Sequence, residues 1–143
     1  MDVIEAKKRV RTEIERLTPT LLEISHEIHA NPELNFEEHF AHEMLTGVLS
    51  DEGLDVERGA YGMPTAFDAR VGSQGPTVAV CCEYDALPGI GHACGHNIIA
   101  AAGLGAGLAA ATVAEALGGR LAILGTPAEE GGGGKEFMIR RGA

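Results

Sequence analysis

An uncharged segment rich in alanine and glycine, Ile98–Ala114, most constrains what this chain can fold into. A β-prone apolar run precedes it at Thr77–Glu83, and a second apolar run follows at Arg120–Gly125. Because strand, buried helix and strand in succession give a crossover between parallel strands, the pattern predicts an α/β fold. We expect a mostly parallel central sheet flanked by helices, with the run at Thr77–Glu83 covered on both faces.

The same segment does not predict a membrane span. It is barely long enough to cross a bilayer, which takes about 17–25 apolar residues. Gly103 and Gly107 have the spacing of packed membrane helices, but His96 and Glu115 lie near the borders of the segment. We therefore expect a helix from about Asn97 to Leu117 that is buried on all sides in an α/β protein, and no membrane partner.

The first third of the chain predicts two helices. Apolar residues recur every three or four positions over Val10–Ile28, and Pro19 predicts a kink or a fresh start in this stripe. Asn35, with Glu38 three positions later, predicts the cap of a second helix that ends at Gly53. The remaining expected elements are two short strands and a last helix, at Leu54–Glu57, Ala66–Val71 and from Lys135 onward.

Charge and composition exclude some classes of partner. The chain has 11 Lys and Arg against 21 Asp and Glu, a net charge of −10, and its aromatic content is 4% with no Trp. Such a chain repels phosphate backbones and lacks stacking platforms, so we expect no nucleic-acid partner. Cys81, Cys82 and Cys94 cannot all form disulfides, and the charged first residues contain no secretory signal, so a cytoplasmic location is expected.

Polar clusters follow the two apolar runs directly, at Glu83–Asn97 and Thr126–Lys135. Ligands of open α/β sheets bind beyond the carboxyl ends of the strands. If the two strands are neighbours, five side chains converge on one rim: Asp85, Cys94, His96, Glu129 and Glu130. Thiolate, imidazole and carboxylate together suit Zn²⁺ or a similar divalent ion.

The spacing within these clusters has a chemical reason. Gly95, which has no side chain, lets the backbone curl so that Cys94 and His96 reach one ion. The adjacent carboxylates Glu129 and Glu130 allow one to bind metal while the other stays free as a general base and acid.

Asp85 is placed to hydrogen-bond a metal-bound imidazole and fix its tautomer. Two alternatives remain open from the residues alone. One is a thiol-dependent hydrolase in which Cys94 is activated by His92 or His96. The other is a non-catalytic module that binds metal or an interaction partner.

Three motifs carry a resemblance to a known family: Glu83–Asn97, Gly125–Lys135 and Ile28–Glu38. Together they resemble the aminoacylase-like metallopeptidases and amidohydrolases, which are zinc exopeptidases in type, and the resemblance covers nearly the whole chain. Within that family they are similar to the branch with p-aminobenzoyl-glutamate hydrolase, hippurate hydrolase and the dipeptidase that acts on basic-residue dipeptides.

The resemblance implies a metal-dependent hydrolase of N-acyl or aminoacyl amino acids. By matching positions, Cys94, His96 and Glu130 are expected to bind metal, Glu129 to act as general acid and base, and Asp85 to be the orienting acid. The implied cofactor is Zn²⁺ or Mn²⁺, with two ions in the complete family site. The implied partner is a small dipeptide-like or aminobenzoyl-glutamate-like amide.

The sequence also departs from the family pattern. Glu83 stands where relatives have His or Asp, so the resemblance does not assign it a metal contact, and Asn97 stands where many relatives have Asp. The family completes its site with later histidines and an inserted lid or dimerisation domain. We therefore expect residues 1–143 to be the amino-terminal part of a catalytic domain that is inactive or nearly so alone. A homodimer of the complete protein is expected to form through the lid that these residues lack.

Overall fold

The structure, a computed structural model, describes residues 1–143. The α-helices are α1 (Val3–Ala30), α2 (His39–Asp51), α3 (His96–Ala111) and α4 (Gly134–Arg140). The strands are β1 (Val56–Arg58), β2 (Phe67–Val71), β3 (Thr77–Cys82) and β4 (Arg120–Gly125). Single 3₁₀ turns occupy Ala60–Gly62 and Glu115–Leu117.

The strands form one four-stranded sheet in the order β1-β2-β4-β3. β3 and β4 run parallel, while β2 is antiparallel to both β1 and β4. The expected α/β class is confirmed, although β3 and β4 form the parallel pair and the sheet as a whole is mixed. Cys82 lies opposite Gly125, so the carboxyl ends of β3 and β4 sit side by side and the chain leaves both at one edge.

Helix α1 is one continuous helix through Pro19, so the predicted fresh start is wrong, while the predicted kink at Pro19 stays a prediction. Leu17 and Ile24, on either side of the proline, are buried in the core that α1 shares with α3. Burying such side chains contributes about 1.5–3 kcal/mol each, which offsets the roughly 3 kcal/mol cost of an interior proline. The hydroxyl of Thr18 also donates to the carbonyl of Ile14 at 2.8 Å, which supports the same turn.

Helix α2 is capped by a different residue from the one predicted. The carboxylate of Glu33 accepts the N–H groups of Phe40 and Ala41, at 2.8 and 3.0 Å. Asn35 makes no such bond, so the prediction that it caps the helix is wrong. The predicted end of the helix is confirmed, because Gly53 follows it with φ +84°. A carboxylate at a helix N-terminus satisfies orphan N–H groups and complements the helix dipole, so Glu33 performs the function expected of Asn35.

Strand β3 and helix α3 are less covered than expected. β3 is an edge strand, and Val78 is 62% exposed, so the predicted cover on both faces is wrong. On α3, Ile98 is 63% exposed, so the expected burial on all sides is also wrong. The opposite side of α3 is buried against α1 and the sheet.

No helix in the chain has the length and hydrophobicity needed to span a membrane.

The glycine at 103 reflects close packing of α3 on the sheet. A Cβ there would lie 2.8 Å from the carbonyl oxygen of Cys81 and 2.9 Å from the sulfur of Cys82. We expect Gly103→Ala to lower the free energy of unfolding by about 1–3 kcal/mol in urea titrations. Gly47→Ala in α2, where a Cβ meets nothing within 4 Å, is the control and should stabilise the protein by up to about 1 kcal/mol. Equal effects of the two substitutions would contradict this packing.

Candidate metal centre

The structure brings the five predicted site residues together beside the carboxyl ends of β3 and β4. Their positions follow from the chain path, which leaves β3, enters α3, returns through β4 and turns towards α4. The sulfur of Cys94, a ring nitrogen of His96 and a carboxylate oxygen of Glu130 all lie within 4.8 Å of one another. Gly95, the residue before α3, has φ +83°, the left-handed conformation that glycine adopts without strain. This turn of the backbone brings the side chains of Cys94 and His96 to the same metal centre.

The imidazole of His96 is buried and fixed in one orientation. Its Nδ1 lies 2.9 Å from the carbonyl oxygen of Asp85 and 2.9 Å from that residue's Oδ1. In the neutral ring, two acceptors at Nδ1 place the single proton on that nitrogen and the lone pair on Nε2. Nε2 faces the carboxylates of Glu83 at 3.4 Å and Glu130 at 3.7 Å. His96 therefore offers one nitrogen, already oriented, to a cation.

Asp85 connects the two halves of the site. It is fully buried, and while Oδ1 faces His96, Oδ2 accepts the backbone N–H of Glu130 at 2.9 Å. One carboxylate therefore orients both the imidazole and the loop that carries Glu130. A carboxylate behind a ligating histidine is a recurrent feature of metal sites, where it fixes the tautomer and raises ligand basicity.

The environment of Cys94 disfavours thiol catalysis. Burial raises the pKa of the Cys94 thiol, and the neighbouring carboxylate of Glu130 raises it further. A thiol of this kind stays protonated at neutral pH and is a weak nucleophile. A bound cation reverses the balance, because coordination deprotonates a thiol outright. The site therefore suits a metal ligand better than a free nucleophile.

Two residues beside the predicted set also contribute charge. The ammonium of Lys135 pairs with the carboxylate of Glu83 and lies 3.9 Å from that of Glu129. Glu83, His96 and Glu129 form a second group of donors within 4.8 Å of one another. Because His96 has a single free nitrogen, it cannot serve one ion in each group at the same time. Lys135 lies in the motif Gly125–Lys135, but only the structure shows that its ammonium lies near the carboxylates of Glu83 and Glu129.

The loop after β4 is anchored at alternate residues. The N–H of Thr126 donates to Cys82 at 2.9 Å, that of Ala128 to Glu38 at 2.8 Å and that of Glu130 to Asp85 at 2.9 Å. Residue 129 lies between the last two anchors. Glu38 was missed as a site residue, since its sequence position indicated only a helix cap.

The donor set fits a divalent metal ion. In a tetrahedral zinc site, a nitrogen and an oxygen ligand at about 2.0–2.2 Å from the ion lie about 3.3–3.6 Å apart. The 3.7 Å separation of His96 Nε2 and Glu130 Oε1 is slightly longer than this range. A thiolate, an imidazole and a carboxylate form the borderline set that Zn²⁺ and related ions accept.

Comparison with known proteins identifies similar chains. The sequence is 40% identical to the Xaa-Arg dipeptidase of Mus musculus, over 96% of this chain and 35% of that protein. It is 34% identical to a p-aminobenzoyl-glutamate hydrolase chain of Escherichia coli K12, over 99% of this chain and 31% of that protein. The chain therefore spans about a third of the length of these relatives. No family model matches the sequence.

Solved structures agree with these sequence relationships. A putative aminohydrolase from methicillin-resistant Staphylococcus aureus has a TM-score of 0.82 and 26% identity, over 94% of this chain and 39% of that one. A dinuclear metal-binding peptidase of the M20 family from Bacillus subtilis has the same fold, with a TM-score of 0.78 and 24% identity over 92% of this chain and 40% of that one.

The relatives that this chain matches are named as a dipeptidase, an amide hydrolase and a metal-binding peptidase. Over nearly its whole length the chain is similar to members of the aminoacylase-like metallopeptidases and amidohydrolases, in the branch that contains Xaa-Arg dipeptidase and p-aminobenzoyl-glutamate hydrolase. The resemblance found in the sequence is thereby confirmed.

Proposed function

We propose that this chain carries the metal centre and the general base of a hydrolase that cleaves amide bonds in N-acyl or aminoacyl amino acids. The observation that carries the proposal is the orientation of His96. Asp85 holds its Nδ1, and its free Nε2 faces a group that includes the sulfur of Cys94 and the carboxylate of Glu130. This is the arrangement of a ligating histidine with its orienting carboxylate.

Cys94, His96 and Glu130 are the proposed ligands of a Zn²⁺ or Mn²⁺ ion. When bound, the ion supplies Lewis acidity that polarises a substrate carbonyl and acidifies water. The name of the Bacillus subtilis neighbour describes two metals, and we propose that the complete site of this protein also holds two. Three protein donors per catalytic ion is a common number, because a position stays open for the reaction.

Glu129 is the proposed general base and acid. Its side chain is 40% exposed, while its backbone lies between the two anchored residues of the loop. A carboxylate held this way reaches the reaction space without being tied down by hydrogen bonds of its own. It removes a proton from the attacking water and delivers a proton to the departing amine.

The names of the relatives suggest the class of substrate. An Xaa-Arg dipeptide and p-aminobenzoyl-glutamate share an amide bond next to an amino acid with a free carboxylate. We propose that this chain takes part in hydrolysis of the same kind of bond.

We also propose that residues 1–143 alone turn over their substrate slowly, because the chain spans about a third of the length of its relatives. The three cysteines are free thiols, which fits function in the reducing cytoplasm.

Titration with Zn²⁺ tests the metal proposal. We expect saturable binding whose affinity rises about tenfold per pH unit below the thiol pKa, because the ion must displace the Cys94 proton. The raised pKa of Cys94 extends this dependence above neutral pH. Isothermal titration calorimetry in buffers of different ionisation enthalpy measures the released proton. Cys94→Ser should bind more weakly and lose that dependence, and equal behaviour of the two proteins would contradict the ligand assignment.

A further inference from the structure

We propose that Glu38 is a positioning residue of the active site, which holds the backbone of Ala128 in a left-handed conformation and so aims Glu129 and Glu130. The inference rests on the proposed function, because Glu130 is a proposed metal ligand and Glu129 is the proposed base. It concerns a residue separated from the loop by 90 positions in sequence.

Glu38 is fully buried, and both its oxygens are used. Oε1 accepts the N–H of Ala128 at 2.8 Å, and Oε2 accepts the hydroxyl of Thr65 at 2.9 Å. Thr65 is fixed in turn, because its carbonyl accepts the hydroxyl of the buried Tyr84. Burial raises the pKa of Glu38, and both donors are neutral groups. Burying a carboxylate without a cation is costly, and the hydrogen bonds from Ala128 and Thr65 offset part of that cost.

Ala128 is the strained point of the loop. It has φ +56°, a conformation that costs a residue with a Cβ roughly 1–3 kcal/mol, and it is fully buried. Its carbonyl accepts the N–H groups of Gly132 and Gly134, each at 3.2 Å. At Gly134 a Cβ would lie 1.8 Å from the carbonyl oxygen of Pro127, so the loop closes tightly on itself. The left-handed residue comes directly before Glu129.

Two buried carboxylates therefore hold the backbone on either side of Glu129. Glu38 takes the N–H of Ala128, and Asp85 takes that of Glu130. Asp85 is already the proposed orienting acid of His96, whereas Glu38 touches no metal donor. Without Glu38 the N–H of the strained Ala128 loses its acceptor, and only the two hydrogen bonds to its carbonyl remain. The backbone then relaxes, and the carboxylates of residues 129 and 130 move with it.

A role in capping α2 does not explain the Glu38 side chain. Glu38 precedes the helix, but its carboxylate makes no hydrogen bond to the helix N-terminus. Glu33 supplies those bonds to Phe40 and Ala41 instead. Glu33 and Glu38 thus lie in one segment, and each accepts backbone N–H groups from a different element. They form a natural pair for an experiment.

The experiment compares Glu38→Ala with Glu33→Ala in the 143-residue protein. Zn²⁺ affinity is measured by competition with a chromophoric chelator, and protection of the Ala128 amide by hydrogen exchange without metal. Loss of a group behind the ligands typically weakens metal binding about 10–100-fold, and we expect Glu38→Ala to do so and to lose amide protection. Glu33→Ala should lower the free energy of unfolding but keep wild-type affinity and Ala128 protection.

Two further variants separate positioning from loss of fold. In Glu38→Gln the amide oxygen accepts from Ala128 and the NH₂ donates to Thr65, so affinity should stay within about threefold of wild type. Adding Ala128→Gly to Glu38→Ala should recover part of the affinity, since glycine adopts φ +56° without strain. If Glu38→Ala does not fold, Glu38→Asp replaces it, and its shortened side chain should also weaken binding about tenfold.

Wild-type affinity and Ala128 protection in Glu38→Ala or Glu38→Asp would overturn the inference while leaving the proposed function intact. Equal losses of affinity in Glu33→Ala would overturn it too, because the effect would then be general destabilisation. Absence of Zn²⁺ binding by the wild-type protein would overturn the proposed function and, with it, the positioning role.

Discussion

Replacing Glu129 with Gln is expected to lower the rate constant of amide hydrolysis by about 10²–10⁴-fold while leaving metal affinity unchanged. Glutamine has a similar shape but cannot take up a proton from water. Because we propose that the 143 residues turn over slowly, the rate is measured under single-turnover conditions, with metal-loaded protein in excess over a dipeptide or p-aminobenzoyl-glutamate.

Glu130→Gln is the matched control for this prediction. It makes the same substitution one residue later, and we expect it to weaken Zn²⁺ binding because residue 130 is the proposed ligand. If Glu129→Gln weakened binding as much as Glu130→Gln, Glu129 would be a ligand, as its grouping with Glu83 and His96 also allows. An unchanged hydrolysis rate in Glu129→Gln would place the base elsewhere.

Replacing Asp85 with Asn is expected to weaken Zn²⁺ binding by about 10–100-fold. The two oxygens of Asp85 each accept from a donor, Nδ1 of His96 on one side and the N–H of Glu130 on the other. The amide of asparagine has one oxygen, so in either orientation its NH₂ group faces a donor. In one orientation the N–H of Glu130 loses its acceptor and is left unsatisfied; in the other, Nδ1 of His96 keeps only the backbone carbonyl of residue 85, and the imidazole is held less firmly.

Asp68→Asn is the control for this substitution. Asp68 is also buried, but its partners are Tyr61 and Arg70, which do not contact the metal donors. Chelator competition should therefore give wild-type affinity for Asp68→Asn. Wild-type affinity in Asp85→Asn would instead show that Asp85 does not orient the ligands.

Local rules predicted most of the fold. The β-prone run at Thr77–Glu83, the helix after it and the strand at Arg120–Gly125 all appear, since each depends on residue types within its own segment. The errors concern long-range packing. Pro19 is accommodated because the stripe around it is buried against α3, and β3 is exposed because it is the edge strand. Neither outcome could be predicted from the residue types around Pro19 or within β3.

The candidate site, like the fold, could be predicted from the sequence only in part. The convergence of Asp85, Cys94 and His96 on the loop after β4 was predictable, because the carboxyl ends of neighbouring parallel strands meet at one edge. The contact between Glu38 and Ala128 was not, because it joins residues 90 positions apart and depends on a left-handed alanine. Periodicity and motif spacing carry no signal for such a contact.

X-ray absorption spectroscopy of the Zn²⁺-loaded protein tests the central claim most directly. For protein loaded with one equivalent of Zn²⁺, the account predicts one sulfur scatterer per zinc at about 2.3 Å, from Cys94, with nitrogen and oxygen scatterers at about 2.0–2.2 Å from His96 and Glu130. The sulfur contribution should vanish in Cys94→Ser. A zinc shell without sulfur in the wild-type protein, or one unchanged by Cys94→Ser, would contradict the proposed metal centre.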